Sequence, residues 1–193
     1  PESVEDVAAA AETSAREEKP EIQGEPVTGA FGIPLGAKFE PCMVAKVLGE
    51  EAKIYRRRDK SEHQGTLYQV EPREPNPHFN TYSVLTTGDG RIYSIRAEHR
   101  PAEKASKCDL TKKLAAVLEE KYGRPRGRGM IGEWYAFRDM SAEVYRGIRL
   151  YAPKCRTGRY SIHYGDDAVK EAPAQPEEAP GDATPESPDA AGL

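Results

Sequence analysis

Several signals that would point to a defined chemistry are missing from this chain of 193 residues. It has only three cysteines, and no two of them are spaced as C-x-x-C, so the sequence predicts neither a zinc site nor a redox-active dithiol. The four histidines show no metal-ligand spacing. No apolar run approaches the roughly 18 residues that a membrane-spanning helix needs, and no signal-peptide pattern is found. We therefore expect no metal, no cofactor and no transmembrane segment.

Catalytic motifs are also scarce. Ser161 and His163 share one face of a predicted strand, which gives two members of a hydrolase triad without the third. Cys108 lies near the predicted start of a helix, where a free thiol gains some thiolate character, but a catalytic role needs a partner His or Asp beside it in space, and the local sequence does not supply one. The sequence therefore predicts a protein that is not an enzyme, and a thiol- or histidine-dependent enzyme stays as a residual alternative.

The two ends of the chain lack large apolar side chains. Residues 1–30 are acidic and rich in alanine, and residues 166–193 contain only Val169 and Leu193 as sizeable apolar groups. Such segments cannot bury enough apolar surface to offset the entropy that ordering them costs. We predict two disordered acidic tails, residues 1–30 and 166–193, around a single domain at residues 31–165.

Charge is segregated in the same way. Residues 31–165 hold 25 basic and 16 acidic side chains, whereas residues 1–30 hold 2 and 8, and residues 166–193 hold 1 and 8. The net charge of −4 thus hides a basic domain between two acidic tails. A basic domain attracts polyanions, and the tails would compete for the same surface.

Regular structure is predicted most clearly in the middle of the domain. Asp89-Gly90 lies between two runs rich in Tyr, Val, Ile and Thr, which is typical of a β-hairpin. Apolar residues at helical spacing predict a long helix at about residues 106–122, ending before Gly123. Pro41 predicts the start of a short helix at about residues 41–48. The fold class is α+β: a mostly antiparallel sheet of about five to seven strands with both helices packed on one face.

Two basic clusters are candidate binding sites. Arg124, Arg126 and Arg128 alternate with Gly and Pro after the long helix, in an arrangement that could clamp phosphate or carboxylate groups. The segment lacks the Gly-Lys-Ser/Thr ending of a nucleotide-binding loop, and a solvated connection is the alternative. Arg56 and Arg58 belong to a second cluster on a predicted strand.

Tyrosine is abundant, and all ten tyrosines fall within the predicted domain. Amphipathic rings beside arginines suit a recognition surface for protein or for stacked bases. We expect a non-enzymatic binding domain that contacts a protein or an anionic envelope component through a basic, Tyr-rich surface. The alternative is a nucleic-acid-binding domain with autoinhibitory acidic tails.

Two short stretches carry a resemblance to a group of proteins. The segment Phe31-Gly32-Ile33-Pro34-Leu35-Gly36 and the helix end Lys121-Tyr122-Gly123 resemble uncharacterised small α+β domains of the bacterial periplasm, which often begin FG-x-x-LG and carry a helix ending in KYG. The resemblance implies a periplasmic or secreted setting and no defined activity. That setting would favour a disulfide between Cys108 and Cys155, tying the long helix to the last hairpin. The alternative is a cytoplasmic protein with reduced cysteines.

Overall fold

The structure, a computed structural model, describes residues 24–101, 108–125, 127–128, 133–138, 146–152 and 159–173. These residues form ten strands, two α-helices and one 3-10 turn, Pro41–Met43. In chain order the elements are β1 (Gly29–Ala30), β2 (Ile33–Pro34), β3 (Lys46–Arg56), β4 (Glu62–Glu71), β5 (Thr81–Thr87), β6 (Ile92–His99), α1 (Cys108–Tyr122), β7 (Gly127–Arg128), β8 (Glu133–Arg138), β9 (Arg146–Ala152), β10 (Tyr160–Asp166) and α2 (Asp167–Glu171).

One antiparallel sheet dominates the fold. Its strand order is β3-β4-β5-β6-β10-β9-β8-β7, and β1 pairs with β2 in a separate two-stranded sheet. The order describes two meanders of four consecutive strands, β3 to β6 and β7 to β10, which meet where β6 pairs with β10. The predicted α+β class and antiparallel sheet are confirmed. The main sheet has eight strands rather than five to seven, because the two-residue β7 adds to its edge.

Side chains alternate across the sheet and so define two faces. In β10, Tyr160, Ile162 and Tyr164 are buried, whereas Ser161 and His163 between them are only half-buried. Successive residues of a strand point to opposite faces. We call the side with the buried tyrosines the core face, and the side with Ser161 and His163 the open face.

The core lies between the core face, α1 and the residues that precede β3. Burial of their apolar side chains supplies the main stabilising contribution to the fold. The buried members from the sheet include Val84, Ile95, Phe137, Ile148, Leu150 and Ile162; those from α1 are Ala115, Leu118 and Tyr122; those before β3 are Val27, Ile33, Leu35 and Val44.

Helix α1 ends where the sequence predicted. Gly123 adopts φ +80°, which favours glycine, and its N–H donates to the carbonyl of Glu119 at 2.9 Å. Within the described chain the helix begins at Cys108, and residues 102–107 lie outside the described part. Val117 has helical spacing with the buried residues but is 61% exposed, so the contact face of α1 is narrower than the periodicity indicates.

The short helix predicted at residues 41–48 is wrong. Pro41 does start a turn, but only the 3-10 turn Pro41–Met43 forms. Val44 is extended and buried in the core, and the N–H of Ala45 donates to the carbonyl of Glu71 at 2.9 Å. Pairing with β4 then continues from Lys46. Sheet pairing satisfies the backbone better than an isolated helical turn would, so it overrides the local helix signal.

Folded structure extends beyond the predicted domain bounds of 31 and 165 at both ends. Val27 is fully buried, and the N–H of Glu25 donates to the carbonyl of Lys121 at 2.9 Å. At the other end, β10 continues to Asp166, and α2 follows it. Residues 24–30 and 166–173 therefore belong to the folded unit. The rest of the predicted disordered tails, residues 1–23 and 174–193, lies outside the described residues.

Candidate anion-binding site

The open face is covered at one end by the segment that follows β10. Val169 of α2 packs against a small cluster formed by Tyr55, Leu85 and Tyr93. The segment is held by arginines: Arg57 donates through Nη2 to the carbonyl of Ala172 at 2.5 Å, and Arg91 donates through Nη2 to the carbonyl of Pro173 at 3.4 Å. These contacts place residues 167–173 over the end of the open face that lies near the β3–β4 and β5–β6 turns.

Beyond that segment, three basic or potentially basic side chains lie side by side on the open face. The register pairs His163 of β10 with Arg96 of β6 on one side and with Arg149 of β9 on the other. Directly paired residues project from the same face. We call Arg96, His163 and Arg149 the arginine row. Neighbouring strands lie about 4.8 Å apart, so the two arginine Cα positions are separated by about 10 Å.

The positions beside the arginine row carry mostly small or hydroxyl-bearing residues. On one side Ser94, Gly165 and Gly147 are paired, and on the other side Glu98, Ser161 and Tyr151. Arg149 is exposed, and Tyr151 remains 46% exposed although its ring is large. Small neighbours leave room above the strands, so a ligand group could approach both guanidinium groups.

The charges of the two row arginines are not balanced by any carboxylate of the described residues. Neither Arg96 nor Arg149 forms an ion pair with a carboxylate in the described ranges. Glu98 is the acidic residue closest in register, and its Oε2 is bonded to Arg100 Nη2 at 2.7 Å. The Nε of Arg96 is buried and finds no acceptor among the described atoms. A guanidinium group without an anionic partner is a natural anion receptor.

Histidine 163 is uncharged at neutral pH. Burial is the main cause that lowers the pKa of His163 to about 4; the neighbouring Arg96 and Arg149 contribute to the same shift, while Glu98 acts in the opposite direction. A cation between two other cations would be repelled. The row therefore presents two positive charges with a neutral imidazole between them, which can donate or accept a hydrogen bond.

The depressed pKa of His163 makes stability depend on pH. Its pKa in the folded protein lies below the ordinary value of 6.5, so the unfolded chain binds the extra proton more readily. The stabilising contribution is complete above pH 6.5 and is lost as the pH falls towards 4. After discounting for partial exposure, we expect the free energy of unfolding to fall by about 2 kcal/mol through this residue.

Urea unfolding at pH 7, 5.5 and 4.5 measures this effect as a difference between variants. In H163Q the fall in stability with pH should be smaller than in the parent chain by that amount. The control is H78Q, because His78 is exposed. Equal pH dependence in the parent chain and in H163Q would contradict the prediction.

The basic cluster predicted around Arg56 and Arg58 lies at the tip of the β3–β4 hairpin, away from the arginine row. Arg56 is exposed and forms an ion pair with Glu62 at 2.6 Å. Arg58 contacts α2: its N–H donates to Glu171 Oε2 at 3.1 Å, and its Nη2 lies 3.9 Å from Asp167 Oδ2. In this structure the cluster therefore holds acidic side chains of the same chain.

The segment with Arg124, Arg126 and Arg128 is described only in part. Arg124 is exposed just beyond α1, Arg128 belongs to β7, and Arg126 lies outside the described residues. Its role as a clamp stays a prediction.

The predicted disulfide also falls partly outside the described chain. Cys108 is the first residue of α1, whereas Cys155 is not among the described residues. The remaining cysteine, Cys42, is exposed and free. The pairing of Cys108 with Cys155 therefore stays a prediction.

The described residues supply no further chemistry around the row. Among the described residues no hydrogen bond joins Ser161 to His163, and no group of three or more potential metal ligands occurs. None of the described helices is long and apolar enough to cross a bilayer.

Comparisons with protein-family models, with curated proteins and with solved structures find no match to this chain. The resemblance to periplasmic domains therefore rests on the short motifs alone.

Sequence reasoning did not single out Arg96 or Arg149. The available signal was an alternation that puts Arg149 and Tyr151 on one face of a strand, and Ser161 and His163 on one face of another. The row becomes visible only when the register of β6, β10 and β9 is known, because that register brings residues distant in sequence side by side.

Proposed function

We propose that this protein is a non-enzymatic binding domain. Its open face holds an anionic group of a partner protein or of an anionic envelope component. The observation that carries the proposal is the pair of guanidinium groups, Arg96 and Arg149, on adjacent positions around a neutral His163 without a carboxylate partner in the described chain. An extracytoplasmic location and the Cys108–Cys155 disulfide belong to the same proposal.

The surroundings of the row support binding rather than catalysis. The face is a sheet surface with small neighbours, and His163 has no acid to orient it and no hydrogen-bonded nucleophile among the described residues. General acid–base catalysis needs such partners within hydrogen-bond reach. Charge-assisted hydrogen bonds to an anion need only the arginines.

Nucleic acid is the second candidate partner, and Tyr151 favours it. The exposed ring lies two residues from Arg149 on the same face of β9. Aromatic rings beside arginines on a sheet surface stack with unpaired bases while the cations contact phosphates. A single-stranded oligonucleotide therefore belongs among the probes.

Substitution of the row arginines tests the proposal. We expect R96Q and R149Q each to weaken binding about tenfold, because a charge-assisted hydrogen bond contributes about 1.5–3 kcal/mol and part of it is screened. Fluorescence anisotropy at 50 mM salt with the full chain measures this for three probes: a labelled ten-residue polyglutamate, vesicles containing phosphatidylglycerol, and a labelled single-stranded oligonucleotide.

The control is R73Q, because Arg73 is an exposed arginine in the loop before β5 and makes the same charge change outside the row. It should alter each affinity less than twofold. Equal losses in R73Q and R149Q would mean that net charge alone attracts the probes. Absence of binding to all three probes would overturn the proposal, and preference for the oligonucleotide would favour the second candidate.

A further inference from the structure

We propose that residues 174–193 of the same chain occupy the arginine row intramolecularly. This inference rests on the proposed function, since it takes the row to be a site for anionic groups. It adds that residues 174–193 are themselves an occupant of the arginine row and compete there with any external partner.

The described chain ends on the side of the molecule that carries the row. Val169 lies on the open face against Tyr55, Leu85 and Tyr93. The last two described carbonyls, those of Ala172 and Pro173, accept hydrogen bonds from Arg57 and Arg91. These contacts fix the point from which the acidic tail departs.

The distance from that point to the row is short compared with the length of the tail. Arg91 immediately precedes β6, and Arg96 lies five residues farther along, so the two positions are about 17 Å apart at about 3.3 Å per residue. Twenty residues span at most about 65 Å when extended, and a random chain of that length has an end-to-end distance of about 25 Å. Acidic side chains begin at Glu177 and Glu178, four and five residues beyond Pro173.

The negative charge of residues 174–193 is complementary to the positive charge of the arginine row. Residues 174–193 contain five acidic side chains and no Lys or Arg: Glu177, Glu178, Asp182, Glu186 and Asp189. Arg96 and Arg149 lie on the open face, and neither forms an ion pair with a carboxylate of the described residues. The acidic residues 1–23 are less well placed to reach the row. The described chain begins at Gly24, which packs against the backbone of Tyr122 at the end of α1, and α1 lies on the core side of the sheet.

Tethering makes even a weak contact effective. A segment joined by a short linker acts at an effective concentration of the order of millimolar. A tail whose intrinsic dissociation constant for the row is about 0.5 mM would therefore fill the site about two thirds of the time and weaken the binding of an external ligand about threefold. An external ligand must displace it, and its apparent affinity falls in proportion.

The test uses the full chain with the five acidic residues of the tail neutralised as E177Q/E178Q/D182N/E186Q/D189N. This variant should bind polyglutamate at least threefold more tightly than the parent chain at 50 mM salt, with a smaller difference at 300 mM. In amide NMR spectra, resonances of Arg149 and of residues 161–165 should shift between the two proteins. At 50 mM salt, the tail resonances of R96Q/R149Q should match those that the parent chain shows at 300 mM salt, because the tail is expected to leave the row in both cases.

The matched control is E2Q/E5Q/D6N/E12Q/E17Q, which removes the same number of charges from the other end of the chain. It should change the affinity less than twofold. Equal affinity of the tail variant and the parent chain would overturn the inference while leaving the proposed function intact. Loss of polyglutamate binding in every variant would instead overturn the proposed function. NMR shifts that vanish on dilution would show that a second copy supplies the tail, which also contradicts an intramolecular contact.

Discussion

Replacing Asp166 with alanine should lower the free energy of unfolding by about 4 kcal/mol. Its carboxylate is 1% exposed and has a separate partner for each oxygen. Oδ2 accepts from Arg146 Nε at 2.7 Å, and Oδ1 accepts from the N–H groups of Ala168 and Val169 at 3.1 and 3.0 Å. Loss of an N-cap costs about 1 kcal/mol, and removal of one partner of a buried ion pair costs about 3–5 kcal/mol, with the lower value expected because Arg146 is partly exposed.

Two further variants separate the contributions at this position. D166N can still cap α2 through its amide oxygen but loses the negative charge, so it should cost about half as much as D166A. D167A is the matched control: Asp167 is the next residue, its side chain is 46% exposed, and it forms a 3.9 Å ion pair with Arg58. Exposed pairs contribute about 0–1 kcal/mol. Urea unfolding measures all three, and similar losses in D166A and D167A would contradict the assigned role of Asp166.

Two isoleucines on strands of the same sheet should respond very differently to truncation. Ile148 on β9 is 0% exposed in the core, whereas Ile54 on β3 is 69% exposed. I148A should lower the free energy of unfolding by about 4 kcal/mol, because truncation removes buried methyl groups and leaves a cavity in the core. I54A should change it by less than about 0.5 kcal/mol.

The pair controls for side-chain type and for strand propensity, since the same substitution is made in a strand each time. Denaturant unfolding with a shared m-value gives the difference directly. A cost for I148A below about 1.5 kcal/mol would mean that the two meanders do not pack on α1 as the core cluster implies.

The parts of the fold that sequence reasoning predicted well are encoded in short segments. The β5–β6 hairpin follows from Asp89-Gly90, and Gly90 has φ +81° as such a turn requires. Gly123 ends α1 for a comparable reason. The short helix at residues 41–48 was wrong because Val44 and Lys46 find partners in the core and in β4, which lie outside any local window.

The site was harder to predict because it depends on long-range pairing. Arg96, Arg149 and His163 come from three strands, and nothing in their immediate neighbours indicates which positions are opposite one another. Asp166 was assigned to a tail because acidic composition is a property of the whole segment. Its burial depends on Arg146 and on the start of α2. The composition of the C-terminal segment correctly predicted its negative charge. It did not indicate that one of its acidic residues, Asp166, is buried in the folded protein.

The pairing of β6 with β10, where the two meanders meet, should also affect the rate of folding. Within each meander every strand pairs with its chain neighbour, so those contacts are local and form with little loop-closure entropy. Among the described strands of the main sheet, the β6–β10 pairing is the one hydrogen-bonded pairing that joins the two meanders, and it closes a long loop. Folding should thus be limited by this closure. Arg96 belongs to the first meander, whereas His163 and Arg149 belong to the second. The arginine row should therefore be assembled only in the last step of sheet formation.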